Sequence, residues 1–233
     1  MTTFQIKLIA VVTMLIDHIG VFFFPQAIFL RVIGRLSLPL FTWMIANGAY
    51  HTHNINKYLI RLFIFALISQ IPFALANQYN PSIADPYRYL NVLFTLFLGL
   101  LAIKIIKENN DKLIWLAITA ICAFAANILN TDYGAFGVLS IVLFYLFFNS
   151  KTYMIISQAV LFFGNQIVNY LKFQHAVIDP LMPKIFLYIE LFGLISLVFI
   201  SLYNGKEGWK TKYLLYIIYP LQFLVIFLIL RLS

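Results

Sequence analysis

Asp17 and His18 stand side by side in a stretch, Phe4 to Phe24, that is otherwise apolar. The two types together can handle protons and hold cations. An imidazole titrates near neutrality and is suited to take a proton from an attacking amine or hydroxyl. The stretch is long enough to cross a bilayer. Insertion scales put an Asp at the centre of such a helix at roughly 2.5–3.5 kcal/mol. Groups this costly face a protein interior or a wet cavity, and mark function by default. Arg35 is the natural counter-ion. Asp17 lies seven residues before Phe24, which is about 10 Å along a helix. Arg35 lies eight residues into the returning segment, or about 12 Å. Matching depths on consecutive helices predict an Asp17–Arg35 ion pair, which makes both charges tolerable. As immediate neighbours on a helix, Asp17 and His18 point about 100° apart and do not pair with each other.

The elements that must position these groups are membrane helices. The chain is 63% hydrophobic and 10% charged, where a soluble domain carries about a quarter charged residues. Its apolar pattern is helical or unbroken, never a ten-residue alternation, so a helix bundle is expected rather than an outer-membrane barrel. The fold class is therefore all-α: a polytopic transmembrane bundle forming a single domain over 1–233. About nine spans are expected, with eight to ten open, near 4–24, 27–50, 57–76, 91–107, 112–129, 135–150, 152–172, 184–203 and 212–231. The first segment is long, carries Asp17 and His18, and shows no small-residue cleavage site. It reads as retained rather than as a signal peptide. Cys122, the one cysteine, excludes an internal disulfide and reads as packing. The net charge of +8 sits at helix ends, which argues against nucleic acid.

Basic residues set the orientation. Lys7, Lys57, Arg61, Lys104, Lys107, Lys112, Lys151, Lys206, Lys210 and Lys212 fall on the side of the N-terminus. Arg31, Arg35, Arg88, Lys172, Lys184 and Arg231 fall on the other. The N-terminus is thus expected in the cytoplasm. On this map Gln70, Asn91, Asn127, Asp132, Tyr133, Asn165, Gln166, Asn169, Glu190 and Gln222 share the outer half with Asp17 and Arg35. They predict a hydrated cavity opening outward, lined by the first, second, third, seventh and eighth spans. Pro39, Pro72 and Pro220 free the carbonyls of Arg35, Ile68 and Tyr216. Pro39 thereby puts a kink beside the charge pair. His51 and His53 read as interfacial, and no metal site is expected.

Several of these residues also carry a family resemblance. They are Asp17-His18-Ile19-Gly20, Arg35-Leu36-Ser37-Leu38-Pro39-Leu40-Phe41, Asn47-Gly48-Ala49-Tyr50 with Thr52, and Tyr58 with Arg61-Leu62. Ala66-Leu67-Ile68-Ser69-Gln70-Ile71-Pro72-Phe73, Asn91-Val92-Leu93-Phe94-Thr95, Asp132-Tyr133-Gly134 and Tyr216 to Pro220 continue the series. The set resembles the TraX family of membrane acetyltransferases, named for the pilin acetylase of conjugative plasmids, nearly from end to end.

The resemblance implies a multi-pass enzyme of the bacterial inner membrane. It would move an acetyl group from acetyl-CoA to an amine or hydroxyl, on a pilin N-terminus or a surface glycan. His18 would be the base or a transient acetyl carrier. Arg35 would stabilise the thioester oxyanion or hold Asp17, and Asp17 would fix Arg35 or accept from the acceptor amine. Gln70, Asn91 and Glu190, with Asp132, Tyr133 and Gln222, would contact the acceptor. Lys57 and Arg61 would hold the phosphates of the donor, though the topology rule also accounts for them. One departure is Gln222, where the family pattern leads to an expectation of His; a Gln cannot serve as a base. The rival classes are a proton-coupled small-molecule or lipid transporter, and a partner subunit with a structural polar core.

Overall fold

The computed structural model describes residues 1–80, 83–174, 188–211 and 213–232. The helices are α1 (Thr3–Phe22), α2 (Ile28–Gly34), α3 (Ser37–His51), α4 (Ile55–Asn77), α5 (Val92–Glu108), α6 (Lys112–Ile128), α7 (Gly134–Leu146) and α8 (Lys151–Gln174). A 3₁₀ helix (Ile189–Ile195) runs directly into α9 (Ser196–Ser201), and α10 (Leu214–Leu232) follows. Among the described residues the one β contact is an isolated Leu90–Thr131 bridge. Each of the nine expected segments therefore contains helix. The 27–50 segment is broken at Arg35–Leu36 into α2 and α3, and the start of the 184–203 segment lies outside the described residues, as do Lys184 and Lys212.

Five helical stretches are long and apolar enough to cross a membrane: Thr3–Phe22, Ile28–His51, Ile55–Asn77, Lys151–Leu171 and Leu214–Leu232. Shorter apolar helices are Lys112–Ile128, Gly134–Leu146 and Ile189–Ser201. This is the architecture of a membrane protein.

Polar residues before each apolar run start the helices. Thr2 and Gln5 form a capping box on α1. Asn54 accepts from the Lys57 amide at 2.9 Å, Asn91 from Leu93 at 3.0 Å and Asp111 from Leu113 at 2.8 Å. A turn forms at Asn130-Thr131-Asp132, with Asn130 at φ 51° and Tyr133 at φ 62°.

The chain divides into two compact units. The first comprises Met1–Phe41 and Phe147–Gly208, and the second Thr42–Leu146 and Trp209–Ser233. In the first, α1 packs on α2, and the 3₁₀ helix packs on both α2 and α8. Gly20 lets α1 and α2 touch: a Cβ there would sit 2.9 Å from that of Leu30. The Thr3 and Phe4 amides donate to the carbonyls of Lys206 and Glu207, at 2.9 and 3.0 Å. In the second unit, α4 packs on α5 and α10, while α5, α6 and α7 pack on one another. Ala102, Ile106, Cys122, Ala126, Val138 and Val142 form a core there, so Cys122 packs as expected.

Candidate functional site

Four charged side chains meet in the first unit. Nη2 of Arg35 donates to both carboxylate oxygens of Asp17, each at 2.9 Å. Nη1 of Arg31 lies 2.8 Å from Oδ2 of the same carboxylate. Nη1 of Arg35 donates to Oε1 of Glu190 at 2.6 Å. Asp17 and Arg35 are each 7% exposed, so the pair is buried in apolar helices. Two carboxylates balance two guanidinium groups. Charge-assisted, forked contacts of this kind are the strong class of hydrogen bond.

Backbone features deliver these groups. The helix breaks at Arg35–Leu36, and Pro39, in the first turn of α3, lacks the N–H that would bond the Arg35 carbonyl. The kink expected beside the charge pair is therefore present. Arg35 N still bonds the Arg31 carbonyl at 3.1 Å, which stacks the two arginines one turn apart. Gly34 is required by space: a Cβ there would overlap the side chain of Asp17. Gly193, on the 3₁₀ helix, is required too. A Cβ would lie 3.0 Å from the Arg35 carbonyl oxygen and 2.8 Å from the Phe162 ring. Glu190 sits one 3₁₀ turn before it and reaches Arg35 from there.

The sequence-derived Asp17–Arg35 pair is present, and Glu190 joins it. His18 is half-buried beside Asp17 in the chain, with Nδ1 shielded from solvent. Arg31 escaped the sequence reading as a partner. Its i, i+4 spacing to Arg35 was the available signal, since it puts both on one helix face.

The other predicted site residues lie in the second unit. Oε1 of Gln70 accepts from Asn91 N at 3.0 Å and Nδ2 at 2.9 Å, while Nε2 of Gln70 donates to the Tyr89 carbonyl at 2.9 Å. Nδ2 of Asn91 also donates to Ala66 O at 2.9 Å. Tyr89 donates its hydroxyl to Asp132 at 2.9 Å, and the Thr95 hydroxyl donates to the Asp132 carbonyl. Burial, then the Asp132 carboxylate, push the Tyr89 hydroxyl pKa well above the usual tyrosine value. Tyr133 occupies the left-handed turn, and Gln222 is buried in α10. These amides tie the end of α4 to the start of α5, a structural use that the sequence did not separate from substrate contact.

The guanidinium of Arg61 lies 5.3 Å from the ring centre of Tyr58 and 5.4 Å from that of Tyr216, and its Nε donates to the Tyr216 hydroxyl at 3.3 Å. Lys57, one turn earlier, is exposed. Nδ1 of His51 bonds the Asn47 carbonyl at 2.9 Å. Among the described residues no three His, Cys, Asp or Glu side chains gather in a way that would hold a metal.

The family model described as TraX protein matches residues 3–231. A Dichelobacter nodosus protein, named probable fimbrial assembly protein FimC, serogroup H1, is 30% identical over 237 residues, covering 95% of this chain and 92% of that protein. An uncharacterized protein of Rickettsia prowazekii (strain Madrid E) is 30% identical over 94 residues, 40% of this chain and 33% of its own. No solved structure matches the chain. The match runs from the first residue of α1 to the penultimate residue of α10, and the chain belongs to the TraX family.

Proposed function

We propose that this chain is an acetyltransferase of the bacterial inner membrane, serving pilus biogenesis. It moves an acetyl group from acetyl-CoA to an amine or hydroxyl acceptor, and a pilin N-terminus is the preferred acceptor. The observation that carries the reading is the Asp17–Arg31–Arg35–Glu190 cluster, with Asp17 and Arg35 buried, in a TraX-family chain. The relative named as a fimbrial assembly protein supports a pilus context.

In the proposed reaction the acceptor nitrogen attacks the carbonyl carbon of the thioester. A C–N bond forms and the C–S bond breaks. The proton shed by the amine passes to His18 and then to the departing thiolate, giving the amide and free CoA. Arg35 stabilises the developing oxyanion. Asp17 holds Arg31 and Arg35; both of its oxygens are engaged, so it is a fixed counter-ion rather than a base. Glu190 uses only Oε1 and its side chain is 26% exposed, so it receives the acceptor amine. The topology that accompanies this reading has nine crossings and a cytoplasmic N-terminus, following the ten-to-six split of basic residues.

The test is transfer of label from acetyl-CoA in membranes containing the protein. Labelled acceptor is expected, and its loss in Arg35→Lys with folding intact. Proton-dependent uptake of a small molecule into liposomes, with no transfer of label, would support the carrier class instead.

A further inference from the structure

One buried polar group in the first unit is not used by the cluster above. Gln166, on α8, is 7% exposed, and neither its Nε2 nor its Oε1 has a hydrogen-bond partner among the described residues. Orphaned buried groups cost free energy and are rare enough to require a reason. A leucine would fill nearly the same volume without that cost.

The register of α8 against the 3₁₀ helix supplies the reason. The two run antiparallel. Lys151, at the start of α8, donates to the carbonyl of Ser201 at the end of α9 at 2.7 Å, and the Phe162 ring lies against Gly193 further along. Gln166 is four residues beyond Phe162, on the same face and about 6 Å along the axis. Glu190 is three residues before Gly193, a full 3₁₀ turn, on the same face and about 6 Å in the same direction. The two side chains therefore stand level across one seam. Oε1 of Glu190 is held by Arg35, and its other oxygen makes no hydrogen bond or ion pair with a described residue.

We propose that Gln166 is a specificity-determining residue of the acceptor site, reading the peptide group next to the amine that Glu190 receives. This rests on the acetyl-transfer reading and names which chemistry its acceptor side recognises. Along one edge a side-chain amide presents its C=O acceptor and one of its two N–H donors in a single plane, the complement of a peptide N–H and C=O. A carboxylate oxygen beside it takes the amine N–H. A chain N-terminus presents both features a few bonds apart. A lone amine or a sugar hydroxyl presents only one, and leaves the buried amide unpaired, which is how sites of this kind reject analogues.

The experiment uses the full-length protein in nanodiscs with acetyl-CoA and two acceptors: a short peptide with a free N-terminus, and a primary alkylamine without a peptide bond. Gln166→Leu is expected to lower kcat/KM for the peptide by about 10- to 100-fold, through KM. Its transfer to the alkylamine stays as in wild type, and its unfolding temperature stays level or rises. Equal losses on both acceptors, an unchanged peptide rate, or a clear drop in unfolding temperature overturn the inference and leave Gln166 as a structural residue. Wild type transferring to neither acceptor overturns the acetyl-transfer reading itself, and the role of Gln166 falls with it.

Discussion

Replacing Asp17 by Asn keeps the side-chain shape and removes one charge from a site where three short contacts converge, at 2.8, 2.9 and 2.9 Å. Removing one partner of a buried ionic network costs about 3–5 kcal/mol, because the remaining charge is stranded. Two features set the value at the lower end. Arg31 is 23% exposed and can turn toward water, and Arg35 keeps Glu190. The expected loss is therefore about 3 kcal/mol. Glu190→Gln breaks one contact at a carboxylate 26% exposed, so its cost falls to about 1 kcal/mol or less. For a chain of this length 1 kcal/mol corresponds to about 2–4 °C, so Asp17→Asn lowers the unfolding temperature by about 6–12 °C and Glu190→Gln by about 4 °C or less. Cys122 provides the assay: it is the only cysteine in the chain and is buried, so a thiol-reactive dye reports unfolding in detergent. Equal shifts for the two variants, or an unshifted Asp17→Asn, would show that Asp17 is not the shared anchor.

Gly34→Ala forces a Cβ into the Asp17 side chain. It should destabilise by about 1–3 kcal/mol and lower transfer at the same time, read by the same dye assay and by label transfer. Asn91→Ala removes the α5 cap and two donors that Gln70 and Ala66 accept. It should lower stability by about 1–2 kcal/mol, and its KM for acceptor should stay that of wild type if its role is structural. Tyr89 is held protonated by burial and by Asp132. A group whose folded pKa is raised contributes its stabilisation in full below its unfolded pKa and loses it as pH rises toward the folded one. Denaturant midpoints should thus fall above about pH 10, and Tyr89→Phe should remove part of that fall.

The ion pair was legible because depth along a helix is simple arithmetic when two helices are consecutive. Asp17 and Arg35 had matching depths, and Pro39 marked where the chain would bend between α2 and α3. Glu190 was legible as a polar group at the same level, but its partner was not. Only packing of the 3₁₀ helix against α2 reveals Arg35 as that partner, through the close approach that Gly193 allows. Arg31 was grouped with the outer-side basic residues, and its pairing with Asp17 was not read. Gln70 and Asn91 carry two signals at once. Intramembrane amides look functional by depth, yet an Asn before an apolar run is also an N-cap signal, and the cap is what forms at Asn91. The division into two interleaved units left no trace in composition, since every segment is similarly apolar.

Acetyl transfer, rather than stability, is the reason the proposed function gives for keeping the charge cluster. A buried ionic network replaced wholly by apolar residues of similar size is often neutral or stabilising, so Asp17→Leu, Arg31→Leu and Arg35→Met combined, with Glu190→Gln, should fold. Transfer of label from acetyl-CoA by this variant, beside wild type in the same membranes, is the decisive measurement. Label on the acceptor is expected with wild type and none with the folded quadruple variant. Transfer at the wild-type rate without these charges would contradict the proposed function.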